Sequence, residues 1–331
     1  MLKGRAVEVL SVGAYIPDKR LTNFDLEKMV ETSDEWIITR TGIKERRIAE
    51  PDMAVSDMGV EASKLAIERA GIDPASIQMV VACTATPDML FPATACLIQA
   101  KLGLPEIPGF DVEAGCSGFL YGLSIASQFI ASGTMDTILV VGGDTISRIV
   151  NWEDRNTCVL FGDGAGAVIL KAGKEGVGIL GFNICANGNF ADILCMPAGG
   201  SKIPVTVEAV QQKLTTIQME GKEVFKQAVT KMADSAEKLM TELNLKIDDI
   251  DVFVPHQANI RIIDSVSKKL GIKPEKTLTN VDYYGNTSCA SIPIAWNEAF
   301  ESGKLKKGDL MLLTAVGAGL TWGSMVLKWN S

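Results

Sequence analysis

Histidine occurs once in this 331-residue chain, at position 256, so any imidazole chemistry has a single candidate. The seven cysteines (83, 96, 116, 158, 185, 195 and 289) are scattered, with no CxxC pair and no Cys/His cluster. That pattern argues against a zinc site and against a disulfide framework. Positive charge is in deficit: the net charge of −8 argues against a general nucleic-acid footprint, while leaving room for a local basic patch. No apolar run is long enough to cross a membrane, and the opening stretch MLKGRAVEVLSVGAYIP reads as a strand ending at a proline turn, not as a signal peptide. The expectation is a protein of the reducing cytoplasm. The stretch GDGAGA lacks both the G-x-G-x-x-G spacing and a P-loop lysine, so it is read as a glycine-rich turn leading into a buried strand.

What is present is an ordinary globular composition, 47% hydrophobic and 22% charged, with length for one large domain or two fused halves. The stretch around which the rest is organised is AGCSGFLYGLSIASQFIASG, residues 114–133. It follows the short apolar strand IPGFDV and opens a helix with Phe119, Leu123, Ala126, Phe129 and Ile130 at apolar positions. Cys116 therefore falls at a strand-to-helix turn, where unpaired N–H groups and the helix dipole favour a thiolate. Gly115 and Gly118 allow a substrate close to the backbone. A small buried core cysteine is the alternative, unless a base or proton donor lies elsewhere. His256 follows the strand DVFVP, and Asn286 in YYGNTSCASIPIAW precedes another helix. Three polar residues at strand ends fit the placement of sites in α/β folds.

Along the chain, strands and helices alternate: AVEVLSVGAYIP, the helix SDMGVEASKLAIERAG, the strand QMVVACTAT, the helix ATACLIQAKLG, the strand TILVVGGD. The pattern restarts at VGILGFNICANG and closes with DLMLLTAVGAG and TWGSMVLKW. This implies an α/β fold with a largely parallel core covered by helices. Thr22 and Ser33 are candidate helix caps, and Trp36 and Arg40 share one face of the helix DEWIITR. Such a pair could sandwich a purine ring and meet its phosphate; a half-buried Trp beside a surface ion pair is the alternative. The exposed apolar run Met89, Leu90, Phe91 must line a pocket or an interface. Two short matches suggest an internal duplication, 1–175 and 176–331. One, between ASG and ESG helix ends, has an offset of 170 and places Cys116 on Asn286; the other, PASIQMVVAC on IDDIDVFVPH, has an offset of 173 and places Cys83 on His256.

AGCSGF, VPHQANIRI and YGNTSCASIP, in that order, resemble the Cys-His-Asn site of β-ketoacyl-acyl-carrier-protein synthase III. SDEWIITRTGI, WEDRNT, FGDGAGA and GLTWGS are similar to the same family, so the resemblance spans nearly the whole chain. It implies the thiolase fold: two duplicated halves in a five-layer αβαβα sandwich, in a homodimer. It further implies that Cys116 takes an acyl group from acyl-CoA, and that His256 and Asn286 then stabilise the enolate formed as malonyl-acyl-carrier protein loses CO2. No cofactor is implied; acyl-CoA and the malonyl carrier protein are substrates. The backbone N–H groups of Cys116 and Ala318 would form the oxyanion hole, and Phe91 and Val316 the acyl pocket. Trp36, Arg40, Arg155 and Asn259 match CoA-binding positions. Gln257, Ala258, Asn259, Ile260 and Arg261, with Lys268 and Lys269, match the carrier-protein segment, a basic cluster suited to an acidic partner. For the two lysines, a solvated helix end is the alternative.

The single histidine separates this chain from elongating synthases of the same fold, which need two. It departs from the family pattern at Gly115, where alanine is usual, and at Val316 and Ala318, where an aromatic residue and a glycine are common. Those changes leave the primer open. The alternatives are a starter-unit condensing enzyme or acyltransferase of a secondary pathway, a cysteine hydrolase and a non-catalytic binding protein.

Overall fold

The computed structural model describes residues 4–330; residues 1–3, at the start of the opening stretch, and residue 331 lie outside the described residues. Two mixed sheets carry the molecule. The first contains β1 (Val7–Tyr15), β2 (Val80–Cys83), β3 (Gly109–Val112), β4 (Thr137–Thr145) and β5 (Asp163–Ala172), in the spatial order β1-β5-β4-β2-β3. The second contains β6 (Gly178–Ala186), β7 (Val252–Pro255), β8 (Leu310–Gly317) and β9 (Thr321–Lys328), in the order β7-β8-β9-β6. From β1 inward the pairings run antiparallel, antiparallel, parallel. From β6 inward they run the same way. A single parallel bridge from Phe253 to Thr277 stands where the first sheet has β3.

The strands alternate between two cores because successive side chains leave a strand on opposite faces. Val81, Cys83, Ile138 and Val140 face a central core, whereas Val80, Ala82, Leu139 and Val141 face an outer one. In the second sheet Val254, Leu313 and Met325 face the centre, and Phe253, Leu312 and Val326 face a third core. Helices α1 (Val55–Ala70) and α2 (Thr94–Lys101) cover the outside of the first sheet. Helices α4 (Gly221–Glu242) and α5 (Ile260–Leu270) cover the outside of the second. Between the sheets lie α3 (Gly118–Ala131) and α6 (Ser291–Glu301), which gives five layers.

Three sequence expectations change. The core is not largely parallel: four of the seven strand pairings in the two sheets are antiparallel. GDGAGA is not a turn: Asp163 to Ala167 lie in β5 itself. A Cβ on Gly166 would stand 2.5 Å from the Cβ of Pro293, so the glycine lets α6 press onto the strand. The offset of 170 fits the helix ends alone. The 3-10 turns Gly115–Ser117 and Ser288–Ala290, which lead into α3 and α6, are related by the offset of 173. The same offset relates the Gln78 N–H to Thr137 O bond to the Asp251 N–H to Leu310 O bond. Cys116 is thus the counterpart of Cys289, and Asn286 that of Glu113. The discrepancy arises because α3 has 14 residues and α6 has 11.

Candidate active site

Cys116 sits in the 3-10 turn between β3 and α3, two residues before the helix begins. Gly115 precedes it at φ +52°, and a Cβ there would lie 2.4 Å from the backbone N of Ala318. A Cβ on Gly317 would lie 2.6 Å from the backbone N of Cys116. Two glycines therefore bring the loop after β8 against the cysteine turn, and the N–H groups of Cys116 and Ala318 to one place. His256 follows β7, its N–H donating to Thr314 O at 2.8 Å. Asn286 is held through its main chain, which donates to Leu160 O at 2.8 Å and accepts from Gly162 N–H at 3.1 Å.

The three side chains line one cavity of about 710 Å³. The segment 286–291 orients all of them. Asn286 Oδ1 accepts the Ser288 N–H at 2.9 Å, which leaves its NH2 group to the cavity. The Ser288 hydroxyl donates to Cys116 Sγ at 3.4 Å. Ser291 Oγ lies 2.6 Å from His256 Nδ1. Ser288 adopts φ +52°, the conformation of its counterpart Gly115, which is uncommon for a residue with a side chain. Gly115 N–H likewise donates to Glu113 Oε1 at 3.0 Å, the counterpart of the Ser288–Asn286 bond.

Burial pushes the Cys116 thiol up to about 12, with Asp144 and Glu113 adding to the rise and the Ser288 hydroxyl and the residue's own N–H acting against it. The thiolate expected from the helix end is therefore opposed by burial: the helix starts two residues on, and the resting group is a thiol. Burial also pushes His256 down to about 4, so the imidazole is neutral near pH 7. Cys289, the counterpart of Cys116, is buried and points its sulfur at Gly115 O, 3.0 Å away.

The cavity also takes in Trp36, Arg40, Ala258, Asn259, Arg261, Val316 and Ala318. Arg40 and Arg155 both lie over the Trp36 ring, at 4.8 and 5.2 Å, so the indole is already covered by guanidinium. Arg155 itself does not line the cavity; it donates to Glu31 O at 2.9 Å. The Asn259 amide caps α5 through Arg261 N–H at 2.8 Å and donates to Arg40 O at 3.3 Å. Gln257 is 1% exposed and its carboxamide bonds Pro255 O, Leu278 O and Asn280 N–H, so it is a buried brace, not a surface contact. Ile260 is half-buried against Gly42. Lys268 is exposed, and Lys269 is paired with Asp234 at 2.6 Å. Phe91 is 83% exposed and does not line the cavity of its own chain.

Sequence reading missed one wall, made by Leu194, Met196, Ile217, Met219 and the α4 face Val224, Phe225 and Ala228. The i, i+1, i+4 spacing on α4 was a visible signal; the fold of the preceding irregular stretch was not. It also missed Ser288 and Ser291. Among the described residues no group of three or more His, Cys, Asp or Glu could hold a metal, and no helix is long and apolar enough to cross a membrane.

Residues 110–188 match the family model 3-oxoacyl-[acyl-carrier-protein (ACP)] synthase III, and residues 240–329 its C-terminal counterpart. The chain is 53% identical over 325 residues to the β-ketoacyl-[acyl-carrier-protein] synthase III of Caldanaerobacter subterraneus subsp. tengcongensis, covering 98% of each. It superposes on the crystal structure of 3-oxoacyl-[acyl-carrier-protein] synthase III from Aquifex aeolicus with a TM-score of 0.91 at 44% identity, over 98% of this chain and 100% of that one. The priming β-ketosynthase of the R1128 polyketide pathway gives 0.92 at 34% identity, over 100% and 98%. With the fold, the shared cavity and these relatives taken together, the chain belongs to the β-ketoacyl-acyl-carrier-protein synthase III family of condensing acyltransferases.

Proposed function

We propose that this protein starts fatty acid synthesis by condensing an acyl-CoA primer with malonyl-acyl-carrier protein. The observation that carries this reading is the cavity itself: a cysteine sulfur and two uncharged donors, His256 and Asn286, line it together, and the one carboxylate among its described lining residues, Glu113, is bonded to Gly115 N–H and not to any of the three. In the first half-reaction Cys116 Sγ attacks the acyl-CoA carbonyl, its proton leaves with CoA thiol, and a thioester remains on the enzyme. The N–H groups of Cys116 and Ala318 receive the oxyanion. In the second, malonyl-carrier protein loses CO2. The electron pair of the broken C–C bond passes into an enolate, and the His256 and Asn286 donors bind its oxygen. The enolate carbon then attacks the acyl carbonyl, expels the Cys116 thiolate and gives 3-oxoacyl-carrier protein; the thiolate takes up a proton from solvent, which the overall reaction consumes.

The halves 1–175 and 176–331 divide the work, the first bringing the nucleophile and the second the donors. Trp36, Arg40 and Asn259, which line the cavity, hold CoA, and Arg155 supports them from its place over the Trp36 ring; Arg261 and Lys268 guide the carrier protein. Phe91 closes the acyl pocket of a second copy in a cytoplasmic homodimer, and no cofactor or metal takes part. Intact-protein mass after incubation with a panel of acyl-CoAs tests the reading: a single acyl adduct is expected, absent in Cys116→Ser. Adding malonyl-carrier protein then yields 3-oxoacyl product. An adduct that hydrolyses without condensing, or none, overturns it. The likeness to the priming β-ketosynthase and the small Val316 in the cavity wall favour a second reading, a secondary-pathway starter enzyme. A primer too bulky for a fatty-acid starter would select it.

A further inference from the structure

We propose that Ser291 holds His256 as its Nε2–H tautomer, so that the imidazole meets the cavity as a hydrogen-bond donor and not as a base. What that donor acts upon rests on the condensation reading above.

Ser291 opens α6 and is 1% exposed; its Oγ lies 2.6 Å from His256 Nδ1. The N–H of Gln257 points at the same oxygen from 3.4 Å and occupies a lone pair. Among the described residues no other acceptor takes the Ser291 hydroxyl hydrogen. If Nδ1 were the donor, that hydrogen would be buried without a partner, the costlier arrangement. The proton of the short bond therefore belongs to Oγ, and Nδ1 accepts. A neutral imidazole carries one N–H, which is then on Nε2. Among the described residues Nε2 has no partner, and His256 lines the cavity.

The duplication supplies an internal comparison. By the offset of 173, Ser291 corresponds to Gly118 and His256 to Cys83. A Cβ on Gly118 would stand 3.6 Å from the Cys83 Cβ, so the same two positions touch in the first half, with no side-chain oxygen there. The contact belongs to the fold; the hydrogen bond belongs to the half that carries His256. A fixed Nε2–H cannot take the Cys116 proton at that nitrogen, which separates this site from a hydrolase whose histidine must do so. The N–H bond stays intact throughout: it strengthens its hydrogen bond as the thioester oxygen gains charge and relaxes when the carbonyl reforms.

The single histidine makes the test direct. In protein labelled with 15N-histidine, long-range 1H–15N correlations at pH 7 report one imidazole, and the Nε2–H form is expected to dominate. Ser291→Ala is expected to lose that preference and to slow malonyl decarboxylation about tenfold or more, because the wrong tautomer presents a lone pair. Acyl-enzyme formation on Cys116 should stay within about twofold, since that step draws on the backbone N–H groups. Ser291→Thr keeps the hydroxyl and should keep the tautomer. An Nδ1–H form in the wild type overturns the proposal even if no variant folds. So does a Ser291→Ala protein with unchanged tautomer and unchanged decarboxylation. A changed tautomer with unchanged decarboxylation leaves the Ser291 assignment standing and removes His256 from the enolate step.

Discussion

At the Cys116 sulfur, burial and hydrogen bonding act in opposite directions, and burial is the larger influence. A thiol held near 12 has little thiolate at pH 7, and the fraction grows tenfold with each pH unit below that value. Alkylation of Cys116 by iodoacetamide should therefore climb about tenfold per unit from pH 7 to 9 without levelling. A plateau below pH 8 would mean that the end of α3 outweighs burial. The neighbouring Gly115 sets a second limit. A Cβ there would meet the Ala318 N at 2.4 Å, and φ +52° disfavours any side chain. Gly115→Ala should lose roughly 1–2 kcal/mol of stability from the dihedral alone. It should also slow acyl-enzyme formation by about tenfold, because it displaces the Ala318 N–H of the proposed oxyanion hole. Denaturant unfolding and the rate of mass gain measure the two effects separately.

Helix α5 carries one charge tied into the fold, Lys269, and two that face solvent, Arg261 and Lys268. Its apolar side, with Ile262, Val266 and Leu270, packs into the third core, while Arg261 and Lys268 face out. Arg261 lies 5.6 Å over the Phe225 ring at the cavity wall. Lys269 is tied to Asp234 on α4. Reversing Arg261 and Lys268 to glutamate should raise KM for malonyl-carrier protein several-fold, on the order of 1 kcal/mol, and leave the acyl-CoA half-reaction alone. Lys269→Glu should weaken folding by less than about 1 kcal/mol, as an exposed pair warrants. Equal effects on both substrates would remove α5 from carrier recognition. Gln257, one turn before the helix, belongs to the structural side: its amide joins three backbone groups, so replacing it should loosen the loop that carries His256.

At the scale of the whole molecule, the largest unburied apolar run among the described residues is Met89-Leu90-Phe91, at 47, 84 and 83% exposure. Exposed side chains of that size in sequence are a feature of interfaces. The homodimer proposed above predicts that replacing Leu90 and Phe91 with aspartate leaves a monomer in sedimentation velocity; a sedimentation coefficient equal to that of the wild type would remove this run from any interface. His256 gives the folded state a second global property. Its folded value near 4 lies below the unfolded value of about 6.5, so the unfolded chain binds the extra proton between those pH values. Stability is full above pH 6.5 and falls as pH drops towards 4, by about 3 kcal/mol from this residue. No other imidazole contributes. The stability difference between wild type and His256→Asn should change by about that amount between pH 7 and 4, measured by denaturant unfolding at fixed protein concentration. A constant difference would show that the imidazole is not held neutral.

Strand periodicity, helix stops at Gly42 and Gly71, and the caps at Thr22 and Ser33 were legible in the sequence because each is a local steric or hydrogen-bonding choice. Cys116, His256 and Asn286 were legible as polar residues at strand ends, and the layered fold through the family resemblance of the motifs that carry them. What the sequence could not contain was whatever depends on two distant segments meeting. The left-handed turn at Ser288, the buried amide of Gln257 and the cavity wall from 194 to 228 are of that kind. The helix-end match at 170 failed for the same reason: it counted residues along the chain, whereas the turns at Gly115 and Ser288 are equivalent by the space they fill between two sheets. Burial, which sets the protonation of Cys116 and His256, is a property of the packed molecule, and only the tertiary structure decided it.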